Sequence, residues 1–137
     1  MAFELTNQRG ALIDCNNMLW RFALRAAEAY GWEPEGSLPP SNWTDNDGQW
    51  PGDYDMQLNQ IVSASDASAM AWALGVLLKD ADYVSQLKQV SRRLNADLSA
   101  KYPDPELKTI SKDDALKLRS FFEKLREFCA AGSFVIG

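Results

Sequence analysis

GWEPEGSLPPSNWTDNDGQWPGDYD, from Gly31 to Asp55, is the stretch on which the reading of the whole chain turns. It holds three of the five tryptophans, four of the six prolines, four of the eight glycines and six carboxylates, with no lysine or arginine. Pro34, Pro39, Pro40 and Pro51 each remove a backbone donor and fix φ, so neither a helix nor an interior strand can run through it. Asn46-Asp47-Gly48 is turn chemistry, and a small hairpin with Trp43 and Trp50 near its base fits the pattern. The segment therefore reads as one long connection over residues 31–62. In a compact domain such a connection is either functional or an Ω-like loop packed on its own side chains.

On either side the periodicity is helical. Asp14 or Asn16 can cap a first helix whose Leu19, Phe22, Ala23, Ala26 and Tyr30 share one face, and Gly31 supplies the residue that ends it. Ser63-x-x-Asp66 resembles a capping box ahead of an alanine-rich helix reaching about Asp80, with Ala67, Met70, Ala71, Leu74, Leu77 and Leu78 as its apolar face. Trp20 and Trp72, both inside helices, are expected in the core. After a break at Ala81-Asp82, a third helix carries Val84, Leu87, Ser91, Leu94 and Leu98. YPDPEL, Tyr102 to Leu107, stops it. Ser111-x-x-Asp114 then opens a fourth helix with Ala115, Leu118, Phe122, Leu125 and Cys129 in register, closed by Gly132. The apolar tail SFVIG either pairs with Phe3 to Leu5 as a minor terminal strand pair or packs as a plug. The expected architecture is thus mostly α: one domain over residues 1–137, a four-helix bundle with the acidic loop laid across it.

Composition narrows the function. Hydrophobic residues at 46% and charged residues at 24% suit an ordered domain of 137 residues with a single core. Residues 1–78 carry three basic and ten acidic side chains, whereas residues 79–137 carry eleven and nine. The acidic half disfavours nucleic acid, whose phosphates need the opposite sign, and favours a basic partner or no charged partner at all. The longest apolar run, AMAWALGVLL, is ten residues, too short to span a bilayer. Two distant cysteines and an N-terminus without a secretory apolar stretch lead to the expectation of a cytoplasmic protein.

The chain has no histidine, which removes Ser-His-Asp and Cys-His catalysis and the usual zinc sites. Neither glycine-rich phosphate motif is present. A calcium loop with Gly48 at its sixth position would use Asp45 and Asp47, but Trp43 and Tyr54 would then stand where acidic ligands belong, so no metal or other cofactor is expected. The candidate contact residues are Trp43, Asp45, Asp47, Trp50, Asp53, Tyr54 and Asp55, because indole and phenol rings anchor interfaces and carboxylates steer a basic partner. The competing reading folds the indoles over the helices to seal the core. A second functional reading, a sugar-binding or glycoside-processing protein, uses the same rings for stacking and the Asp53–Asp55 pair for acid–base work.

The order Gly31-Trp32, Pro34-x-Gly36, Trp50-x-Gly52-x-Tyr54, Asn59-Gln60, Val62 and Asp66-Ala67 resembles a set of small uncharacterised bacterial proteins. The resemblance covers roughly residues 16–80 and leaves the last two helices unassigned. It implies no catalytic residue. Several such proteins look like immunity or accessory partners of bacterial toxins, which implies a non-enzymatic binding module, in its narrowest form an inhibitor of a basic toxin.

Overall fold

A computed structural model describes residues 2–101 and 110–137, with the side chains of 98–101 excepted. The chain starts with strand β1, Ala2–Asn7, turns back into β2, Leu12–Asn16, and runs directly into helix α1, Asn17–Ala29. Asn7 makes the reversal: its Oδ1 accepts from the backbone N–H groups of Arg9 and Ala11, both at 3.0 Å, while Gly10 adopts φ +79°. Asn16 ends β2 and caps α1, its side chain accepting from the Leu19 N–H at 2.7 Å.

The 31–62 segment follows. It contains one 3₁₀ turn, Asp45–Asp47, and ends in strand β3, Gln60–Val62. Helix α2, Ala64–Lys79, is capped by Ser63, whose hydroxyl accepts from the Asp66 N–H at 3.2 Å. Helix α3, Tyr83–Lys101, comes after the expected break. The last helical stretch starts on the Ser111 cap as expected but is divided at Leu118 into α4, Lys112–Lys117, and α5, Arg119–Ala130. Strand β4, Phe134–Ile136, completes the fold. The YPDPEL stretch lies outside the described residues.

The four strands form one antiparallel sheet in the order β2-β1-β4-β3. The mostly α, helical-bundle expectation is therefore wrong: the molecule is an α+β fold. The terminal pairing does form, with Leu5 opposite Ile136 and Asn7 opposite Phe134, but as the centre of a larger sheet. Alternation explains why that sheet is stable. Phe3, Leu5, Cys15, Gln60, Val62, Phe134 and Ile136 are buried, while Glu4, Thr6 and Asp14 face solvent, so one face packs on the helices. Trp20 of α1 is fully buried there, in edge contact with Phe134 at a centroid distance of 6.4 Å. Sealing an indole of that size contributes about 4–6 kcal/mol.

Helices α2 and α5 pack closely, with the Cys129 thiol 3.7 Å from Met70 Sδ. Gly75 lies against Arg126 of α5, where a Cβ would stand in ordinary contact, 3.5 Å from Arg126 Cδ. Where α2, α3 and α4 meet, Arg119 donates to the Leu78 carbonyl at 2.8 Å and lies over the Tyr83 ring, whose hydroxyl donates to the Ala115 carbonyl at 2.6 Å. One core assignment fails. Trp72 is 67% exposed, because Met70, Ala71, Leu74 and Leu77 turn inward and leave Trp72 and Val76 on the outer side of α2.

Candidate functional site

The acidic segment is held from inside by the residues of its own sequence pattern. Helix α1 ends in a Schellman turn: Gly31 N–H donates to the Glu28 carbonyl, and Trp32 N–H to the Ala27 carbonyl at 3.0 Å. Gly31, at φ +97°, turns the chain so that Trp32 falls back onto the helices and is buried. The Trp32 Nε1–H donates to the Asp66 carboxylate at 2.9 Å. Asp66 is fully buried in the first turn of α2, and also accepts from the Glu35 N–H at 3.3 Å and from the Tyr54 hydroxyl. Those donors and the adjacent helix N-terminus replace the water that a buried carboxylate would otherwise need. Tyr54 in turn accepts from the Gly36 N–H at 2.8 Å.

Around this centre the segment crosses itself. Gly36 (φ +100°) and Gly52 (φ +79°) stand back to back, and a Cβ on Gly52 would sit 3.4 Å from the Gly36 Cα. Ser37 N–H donates to the Gly52 carbonyl at 3.1 Å, and the Ser37 hydroxyl to the Asp53 carbonyl at 2.5 Å. Trp50 Nε1–H returns to the Ser37 carbonyl at 2.7 Å, and Trp20 Nε1–H reaches the Tyr54 carbonyl at 2.7 Å. Gln60, fully buried, donates to the carbonyls of Met56 and Asp53 and accepts from the Leu58 N–H. Leu38 bridges Ile61 through two backbone bonds of 2.7 and 2.9 Å, which covers the edge strand β3. The result is a clasp. Burial, then the bond to Asp66 and its charge, push the Tyr54 phenol well above the ordinary tyrosine range.

The seven candidate residues divide between two places. Trp43, Asp45 and Asp47 form a tip with Trp50, whose N–H ties that tip to the clasp at Ser37. The two indoles are half-buried and meet edge to face at 4.8 Å, in place of the expected hairpin. Trp43 Nε1–H donates to the Gly48 carbonyl at 3.1 Å. Asp47 closes a capping box, accepting from the Thr44 N–H at 2.9 Å and hydroxyl at 3.0 Å, while Asp45 is exposed and makes no side-chain bond among the described residues. Asp53, Tyr54 and Asp55 instead line a cleft of about 310 Å³.

The opposite walls of that cleft were not legible as a site. Arg21, Arg25 and Glu28 come from the polar face of α1, and Asp97 from α3. Arg25 pairs with Glu28 at 3.2 Å. Arg21 is half-buried, and its enclosed Nε has no hydrogen-bond partner among the described residues. The spacing of 21, 25 and 28 is visible in the sequence as one helix face, but only the tertiary fold brings Asp97 and the clasp opposite it.

Both thiols are buried and unpaired. Burial, aided by Asp14, raises Cys15 to about 11, and burial pushes Cys129 up as well. Neither is a ready nucleophile. Among the described residues no group of three or more Cys, Asp or Glu side chains is arranged to hold a metal ion. No helix among them is long and apolar enough to cross a membrane. Compared with family models, curated proteins and solved structures, the chain matches none.

Proposed function

We propose that the protein is a non-enzymatic binding module that docks a basic protein through the tip of its 31–62 segment. The observation that carries this reading is the Trp43–Trp50 pair. The two rings are half-exposed, locked against each other at 4.8 Å, and have their N–H groups satisfied by backbone of the same segment. Ordering two large rings before contact reduces the entropy lost on binding. The surrounding Asp45 and Asp47 have no basic residue within the segment to neutralise them, so they can steer a positive surface.

The narrowest form of the reading is an immunity-type inhibitor covering a basic toxin, and the unpaired thiols support a cytoplasmic setting. The carbohydrate reading has less support. Trp32 is buried in the clasp, and the Tyr54 hydroxyl is turned inward to Asp66, so Trp32 offers no free face and Tyr54 no free polar handle to a sugar.

The test is site-specific photo-crosslinking in cells of the source organism, with the photoreactive residue at exposed position 44 or 49, beside the indole pair, and, as a control, at the exposed position 72. The proposal expects one dominant adduct with a basic protein from 44 and 49, lost on Asp45→Lys/Asp47→Lys, and none from 72. Equal adducts from all three positions, or adducts indifferent to charge reversal, would count against it.

A further inference from the structure

The geometry points to a second, independent site: the cleft between α1, α3 and the clasp binds a free amino acid with a cationic side chain. Arg21 lines it from α1, and its guanidinium makes no ion pair and no hydrogen bond among the described residues. The planar fork of a guanidinium is matched by a carboxylate. Three carboxylates, of Asp53, Asp55 and Asp97, line the same cleft. None lies within 4.0 Å of Arg21, since the only ion pair among the described residues joins Arg25 to Glu28. Opposite charges thus face one another across a gap that protein groups do not close.

A molecule carrying a carboxylate for Arg21 and amino groups for the aspartates would close it. With Arg25 and Glu28 neutralising each other, one cation and three anions remain, so a ligand with one carboxylate and two cationic groups suits the balance better than a neutral zwitterion. Leu24 and Leu94 supply apolar wall for an aliphatic stem. A volume of about 310 Å³ stands at the small end of ligand pockets, which suits a single amino acid and not an oligosaccharide. This site does not use the Trp43–Trp50 tip, so it stands or falls separately from the docking role.

Calorimetric titration of the purified full chain with L-arginine and L-lysine tests the inference, against agmatine, which lacks the carboxylate, and succinate, which lacks the amine, at matched ionic strength. Saturable binding of the two basic amino acids is expected, with agmatine and succinate at least tenfold weaker. Arg21→Gln should weaken L-arginine by roughly tenfold to a hundredfold, the range for losing a hydrogen bond between charged groups. Its unfolding midpoint should stay at or above that of the wild type, because the lost donor had no partner. Asp55→Asn, on the exposed rim, should weaken binding without touching the clasp. The inference is overturned if no basic amino acid binds saturably, if agmatine binds as well as L-arginine, or if a folded Arg21→Gln protein binds unchanged.

Discussion

Replacing Tyr54 by phenylalanine removes one oxygen from the centre of the clasp and keeps the ring. That oxygen donates to the buried Asp66 carboxylate and accepts from the Gly36 N–H at 2.8 Å. A hydrogen bond to a charged group contributes about 1.5–3 kcal/mol, and the abandoned Gly36 donor, half-exposed and open to water, adds up to about 1 kcal/mol. The expected loss is therefore about 2–4 kcal/mol. An unfolding entropy of about 0.3 kcal/mol/K for a chain of this length converts that to a fall in Tm of about 7–14 °C. Urea unfolding followed by tryptophan fluorescence, with thermal unfolding by circular dichroism, measures it. Tyr30→Phe is the control, because its hydroxyl bonds Asp80 at the surface, and it should change stability far less. Trp32→Phe also strips a donor from Asp66, so the double variant with Tyr54→Phe should depart from additivity. A Tyr54→Phe protein within about 0.5 kcal/mol of the wild type would refute the idea that the clasp is tied through Asp66.

Alkaline pH should act on the same group. Burial raises Tyr83 to about 12, and Tyr30 and Tyr54 are raised too, so each phenol stays neutral in the fold where the unfolded chain would release its proton. That stabilisation is complete below an ordinary tyrosine pKa of about 10 and is lost as pH rises from there through about 12, which denaturant midpoints against pH would show as a steep fall. Trp72→Gln should leave stability within about 0.5 kcal/mol, while Trp20→Ala should cost about 3–5 kcal/mol, both by urea unfolding. Gly52→Ala forces a side chain into φ +79° against the Gly36 backbone and should cost about 1–2 kcal/mol. Neither thiol should react with a disulfide reagent until the protein unfolds.

What the sequence discloses follows the range of each interaction. The Ser63 and Ser111 caps, the Gly31 stop and the break before α3 are local, and each stands where its residues indicate. Strand β3 is three residues long, and β2 runs straight into the cap of α1, so neither has the length to display an alternation of its own. They are strands because β1 and β4 supply partners. Trp72 misleads for a related reason: AMAWALGVLL is apolar on every side, and only the packing of α5 decides which side is covered. In the segment itself, the pattern from Trp32 to Asp66 is legible as a unit, but its meaning is largely architectural, since Tyr54 is spent on Asp66. The cleft is the least legible feature, because Arg21 and Asp97 are distant in sequence and joined only by the pairing of α1 with α3.

The most direct test of the docking claim is the ionic-strength dependence of affinity between this protein and its crosslinked partner, once purified, with and without Asp45→Lys/Asp47→Lys. An affinity that falls steeply with added salt in the wild type, and is both weaker and nearly salt-independent in the reversed variant, is what an acidic tip steering a basic surface requires. Equal affinities and equal salt slopes for the two proteins would contradict it.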